Sequence, residues 1–292
     1  MIRRSYGPPT GGTAHGTPGM SIQHQRNFQQ VYRERLTRWY NGYFHIFVVY
    51  ATGAATLYIY ISHIENVKPL EWLVLPVGFL IANWFEWYLH KYIMHRPPRF
   101  KPLRTVYLYH MIDHHQFFTD EDMRFRDHMD WRITFFPPYA LTVFILAATP
   151  VAVLFGLVIS ANAGWLFMCV VTGIYLIYEF MHFCCHVEGN WFVRNCPFIN
   201  TMRRHHTAHH NQRLMMEVNM NVTFPIADWL LGTSDLNRGL LGHLFNGYDT
   251  TYVKKNLRAT PKLPDESPAS DTDASGSRRP VEGQFSQRIA SP

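Results

Sequence analysis

The sequence predicts an all-α integral membrane protein, with four transmembrane helices in two hairpins and a cytosolic helical cap that carries histidine boxes. Three observations predict it: long apolar runs without charge, basic residues concentrated in alternate connections, and seventeen histidines of which most fall into four short groups.

The chain has 292 residues. Residues 1–26 are rich in Gly, Pro, Thr and Gln and are expected to be a disordered tail. They contain no apolar h-region, so the first apolar run is expected to be a retained span rather than a cleaved signal. Asn27 to Asn41 is predicted as an amphipathic lead-in helix on the membrane surface. Gly42 to Ile61 is the first span, interrupted by no ionisable residue except His45, and Leu70 to about His90 is the second. A polar stretch, Lys91 to Arg132, follows. From Ile133 to Tyr178 roughly 45 residues pass without Asp, Glu, Lys, Arg or His. That exceeds any buried helix and suffices for two spans of about 20 residues each, predicted at Phe135 to Ser160 and Gly164 to about His186. Pro137 and Pro138 mark the entry to the third span, and Pro150 is expected to kink it. Val187 to Lys262 is predicted to be cytosolic, so the membrane domain covers 27–262. Residues 263–292, rich in Ser, Asp, Pro and Gly, are expected to be a second disordered tail.

The net charge is +6, but its distribution speaks against nucleic acid. Arg26, Arg33, Arg35 and Arg38 precede the first span. Seven arginines and lysines from Arg96 to Arg132 lie between the second and third, and Arg194, Arg203, Arg204 and Arg213 follow the fourth. The two remaining connections hold Lys68 alone. This is the positive-inside pattern for four spans with both termini cytoplasmic. The four cysteines, Cys169, Cys184, Cys185 and Cys196, form no C-x-x-C pair, which disfavours a thiolate zinc site. Cys184, Cys185 and Cys196 fall on the reducing side, where disulfides are not expected.

The histidine groups are His90 and His95; His110, His114 and His115; His182 and His186; and His205, His206, His209 and His210. An even number of spans between them puts all four groups on one face of the membrane. His110 with His114, and His182 with His186, are i,i+4 pairs that share a helix face and are expected to reach a common centre. His206 has i,i+3 and i,i+4 partners in His209 and His210. His90 and His95 stand about 140° apart on an ideal helix, so they converge only if the helix ends between them or they serve different metals. About ten histidines exceed what one metal coordinates, so two metals are expected. Neutral imidazole suits Fe, Zn, Cu and Ni. Glu86, four residues before His90, and Glu179, three before His182, are placed to orient those ligands through the second ring nitrogen. An unpaired carboxylate would be costly at that depth. His15, His24, His45, His63, His128 and His243 match no ligand spacing and are read as structural or solvent-exposed.

These residues resemble the fatty acid hydroxylase and sterol desaturase superfamily of membrane histidine-box oxygenases, over about Leu70 to Gly247. The resemblance rests on H-x4-H at His90–His95, H-x3-H-H at His110–His115, H-x3-H at His182–His186 and H-x2-H-H at His206–His210. It extends to Asn219–Pro225 and Asp228–Thr233, which are similar to the segment after the last box. The run Tyr175, Tyr178, Glu179, His182 and His186 is similar to the fatty acid 2-hydroxylase pattern, with Glu179 in place of the usual Asp. The resemblance implies two iron ions, with zinc as a possible substitute in isolated protein. They would be held by His90, His95, His110, His114, His115, His182, His186, His206, His209 and His210, with the role of His205 open. It also implies a lipid substrate entering past Tyr175 and Tyr178, and dioxygen-dependent hydroxylation of a fatty acyl or related chain. No haem carrier domain precedes the first span, so electrons are expected from a separate ferredoxin-like or small haem protein. A sterol or isoprenoid oxidase or desaturase carries the same boxes. A metal transporter or sensor is the alternative of another class, but a transporter places its ligands near the bilayer midplane, whereas here they sit at span ends.

Overall fold

The computed structural model describes residues 21–257; most of the expected N-terminal tail and all of the C-terminal one lie outside them. Among the described residues the fold is helical, with isolated bridges but no strand.

Helix α1 (Ile22–Arg35) is capped by the Ser21 side chain, which accepts from His24 N. It starts five residues before the expected Asn27 and is fastened to the chain around Phe117. Its buried residues are glutamines: Gln25 and Gln29 donate to the Phe117 carbonyl at 2.9 and 2.8 Å, while Phe28 and Tyr32 pack on Phe117 and its neighbours. The helix is thus a brace on the cap, a role that an apolar periodicity does not reveal.

Helix α2 (Gly42–Ser62) is the first span, begun by an Asn41 cap. The second apolar stretch is a continuous helical rod, Glu71–Met94. Within it a 3-10 turn leads into α3 (Val74–Leu89), and a π-helical turn, His90–Met94, ends it. After α4 (Lys101–Tyr107) a second π-helical segment, Leu108–His114, runs into the short α5 (His115–Phe117). A loop with a 3-10 turn at Asp130–Ile133 leads to α6 (Ala140–Val158) and α7 (Ala161–His186). The cap is completed by α8 (Trp191–Asn195), α9 (Ile199–His209), α10 (Ile226–Leu230) and α11 (Leu240–Leu244).

Among the described residues four helices are long and apolar enough to cross a membrane: Gly42–Ser62, Glu71–Met94, Ala140–Val158 and Ala161–His186. Pro150 lies inside α6 without ending it. The third span starts at Ala140 rather than Phe135 because Ile133 and Phe135 are fully buried in the cap. Half of the α7 span is buried, against 22% or less of each of the others. Helices α2, α3 and α6 all pack against it. The outward faces carry exposed apolar side chains such as Tyr58, Leu146 and Leu157, as expected of surface that meets hydrocarbon rather than water. At the end of the spans away from the histidines, Glu71 ties the two connections together. It accepts from Ser160 Oγ, from Asn162 Nδ2 and from the Lys68 amide.

Close approach of α6 to α7 depends on Gly164, where an added Cβ would lie 2.7 Å from the Ala152 carbonyl oxygen. A Cβ at Gly173, on the same helix, would meet nothing within 4 Å. Gly164→Ala is therefore expected to destabilise the bundle by ~1–3 kcal/mol through overpacking, whereas Gly173→Ala leaves stability unchanged or slightly raised. Thermal unfolding of the two variants in detergent checks this; equal midpoints would contradict the packing.

Candidate metal centre

The site is assembled where α3 and α7 end and α9 crosses beneath them. The two π-helical turns decide which histidines meet. In the first, the His95 amide donates to the His90 carbonyl at 3.0 Å. In the second, the His115 amide donates to the His110 carbonyl. An i→i+5 bond widens the turn by one residue, so His95 sits over His90 and His115 over His110 despite the five-residue spacing. His114 stays stacked on His110, ring centroids 5.1 Å apart, but its Nε2 faces His182 and His210 instead.

Two groups result. His90, His95, His110, His115 and His209 form the first; His114, His182, His186 and His206 form the second; within each, the candidate ligand nitrogens all lie within 4.8 Å of one another. His210 borders the second group, its Nε2 3.2 Å from that of His114 and 3.1 Å from that of His206. All ten imidazoles are at most 2% exposed. The structure keeps His182 and His186 together, as their i,i+4 spacing suggests, and pairs His206 with His210. It sends His110 and His114 to different groups, contrary to expectation, and likewise separates His209 from His206. His205 points away, its Nε2 3.0 Å from Asp228 Oδ2.

The ring orientations fix the chemistry. Nδ1 of His114, His186, His209 and His210 faces the backbone carbonyl of Ile133, Met123, Val218 and Phe118 at 2.8–3.0 Å, and that of His90 faces Met220 O. A carbonyl only accepts, so Nδ1 carries the proton and Nε2 of the neutral ring keeps its lone pair. His114 and His210 therefore aim two lone pairs at each other across 3.2 Å, and neither can donate. In a buried site this repulsion is relieved by a cation between the nitrogens, and carbonyl-anchored imidazoles are the usual supports of a metal. Burial keeps the rings neutral: it holds His114 down at about 3 and His209 at about 4, despite opposing carbonyl hydrogen bonds. His95, His110, His115, His206 and His210 are held well below the ordinary histidine range, by burial first and neighbouring imidazoles second. The donor set fits one metal ion in each group.

The two carboxylates act less directly than expected. His90 Nδ1 is taken by Met220 O, and Glu86 instead accepts from the Val222 and Thr223 amides and the Thr223 hydroxyl. It anchors the strand of chain that carries the Met220 carbonyl. Glu179 Oε1 accepts from Tyr175 Oη at 2.8 Å and from Phe136 N at 3.1 Å. Tyr175 is thereby buried among Val49, Ala140 and Leu141 instead of lining an opening. Tyr178 is half-buried, its ring centroid 5.6 Å from that of His182. Sequence reasoning missed Asp228, whose carboxylate gathers four donors, and missed the carbonyls that hold the rings. Carbonyls leave no signal, because every residue has one.

A sequence model of the fatty acid hydroxylase family matches residues 75–233, more than half of the chain and all four histidine groups. No curated protein and no solved structure matches the chain.

A histidine held neutral in the fold gains a proton more easily once unfolded, so the unfolded state binds more protons below its ordinary pKa of about 6.5. The contribution of His114 and His209 to stability is thus complete above that pH. It is lost progressively as the pH falls towards their folded values, about 3 and about 4. Metal-free protein is expected to lose thermal stability steadily from pH 6.5 to pH 4.5, and zinc loading is expected to move that loss to lower pH. Unfolding temperatures with and without zinc, measured across this range, check both; a flat profile for the metal-free protein would contradict the burial of neutral rings.

Proposed function

The chain belongs to the fatty acid hydroxylase family, and from that premise we propose that it is a di-iron membrane oxygenase that hydroxylates a lipid chain with dioxygen and external electrons. The observation that carries this reading is the facing of lone-pair nitrogens in two adjacent buried groups at one end of the spans. The family consists of iron-dependent oxidoreductases, and two groups of five imidazoles suit two irons. When bound, the metal supplies dioxygen activation and the power to oxidise an unactivated C–H bond, which no side chain has.

The protein supplies placement. His90, His95, His110, His115 and His209 hold one iron, and His114, His182, His186, His206 and His210 the other; zinc takes the same imidazoles when iron is lost on isolation. Burial of all ten excludes bulk water from the reacting centre. His90 and His186 sit in the last turns of their spans, so a substrate can keep its apolar tail in the bilayer while one carbon reaches the metals. Tyr178, between Phe136 and His182, is the residue placed to touch that chain. The basic residues concentrated beside these span ends support a reading in which the site and both termini are cytoplasmic. Electrons reach it there from a separate ferredoxin-like or small haem protein.

Expression in a host lacking the activity is expected to add one oxygen to a subset of cellular lipids, seen by mass spectrometry. His186→Ala, which removes one nitrogen of the second group, is expected to abolish that product while the protein still inserts into membranes. Loss of two hydrogens instead would make it a desaturase, and an undiminished product from the variant would reject the site.

A further inference from the structure

The two histidine groups share helix α9 and the segment 108–117 but not their supports. In the first group His90 and His209 both donate Nδ1 to one short loop, at the Met220 and Val218 carbonyls. In the second, His114, His186 and His210 donate to Ile133, Met123 and Phe118, on a different stretch of chain, residues 118–133. We infer that each metal position rests on its own carbonyl cradle, and that Asp228 is the positioning residue of the first cradle and Asp130 of the second.

Asp228 has no exposure to solvent. Its Oδ1 accepts from the Met220 amide at 3.0 Å and from Thr233 Oγ1 at 2.6 Å, and its Oδ2 from the Asn221 amide at 2.7 Å and His205 Nε2 at 3.0 Å. Two consecutive amides on one carboxylate fix the plane of the Met220 peptide and hence the carbonyl that sets the His90 ring. Asn219, held in the left-handed region at φ 61°, turns the chain into that position, and its side chain is fixed between the Asp235 amide and the His205 carbonyl. His205 thereby has a task although it is no ligand. It supplies one of the four hydrogens on Asp228.

Asp130, equally buried, organises the other loop. It takes both nitrogens of the Arg33 fork at 2.7 and 2.8 Å and the Arg126 amide at 2.8 Å. Three residues on, Ile133 offers the carbonyl that sets His114. Among the described residues the donors to the two carboxylates are different: Arg33 and Arg126 for Asp130, and His205, Met220, Asn221 and Thr233 for Asp228. Each carboxylate fixes a carbonyl that serves one group, Met220 for His90 and Ile133 for His114, which predicts that the positions fail one at a time.

The inference rests on the dinuclear reading and is tested on the full chain in detergent. Zinc is titrated into metal-free protein, and bound metal is counted by elemental analysis. Wild type is expected to take two equivalents; none at all would overturn the dinuclear reading itself. Asp228→Asn, which turns one acceptor into a donor facing other donors, is expected to weaken one equivalent 10–100-fold, the usual cost of losing a ligand's outer partner, and to spare the other. Asp130→Asn is expected to weaken the complementary equivalent. With iron-57 loading, each variant should change a different one of two Mössbauer signals. His205→Gln keeps a donor at that place and is expected to retain both equivalents. If Asp228→Asn does not fold, Thr233→Val removes a single donor and is expected to weaken one equivalent several-fold. Simultaneous weakening of both equivalents, or of neither, with wild type still binding two, would overturn the cradle assignment alone.

Discussion

Ten neutral imidazoles buried together need fixed points that decide, for enough of the rings, which nitrogen keeps its proton. In water that choice is free. In a dry site it is made by a fixed acceptor, and this chain supplies backbone carbonyls to five of the rings. Once Nδ1–H is committed, Nε2 can only present a lone pair, and the rings must be aimed at something positive. The helices deliver the rings, the loops orient these five, and the spans hold the assembly at one end of the bundle.

Helix α7 joins these tasks. It is the common neighbour of the other spans, and its last turns carry Glu179, His182 and His186. Its end is fixed from below by Arg203, whose guanidinium donates to the Cys184 and Val187 carbonyls, groups left unpaired at any helix C-terminus. Near the membrane boundary Glu179 links the Tyr175 hydroxyl on α7 to the Phe136 amide that leads into α6. Movement of the α7 terminus would therefore disturb both the second histidine group and the entry to the third span.

Much of this was legible in the sequence, for physical reasons. Charge-free runs of span length have one interpretation in a helical chain, and the even count between histidine groups puts them on one face whatever the packing. The grouping was not legible. The α-helical period pairs His110 with His114, whereas the π turn pairs His110 with His115; a single i→i+5 bond reverses the answer and has no distinct composition. Glu86 was read as a direct partner of His90 from its i,i+4 spacing, and it acts instead through the peptide units of Val222 and Thr223. The contacts of helix α1 were not legible because glutamine amides seeking a carbonyl look like surface residues.

The polar interior of the cap follows from the same need for orientation. Arg204 and Asp235 form a two-pronged ion pair at 2.7 and 2.9 Å, both fully buried, next to Asn219 and the Asp228 cluster. Such a pair is poor value as a source of stability, since apolar residues of the same volume usually serve as well or better. Apolar packing, however, cannot choose the direction of a peptide plane. Asp235 Oδ1 accepts from the Asn219 side chain at 3.0 Å, and the Asp235 amide donates back to it at 2.9 Å. That exchange holds the loop whose carbonyls set His90 and His209. A cap with an oily core could fold, but its rings would be free to turn. Here the charge-rich interior is the means by which loosely encoded loops acquire the angular precision that a metal position demands.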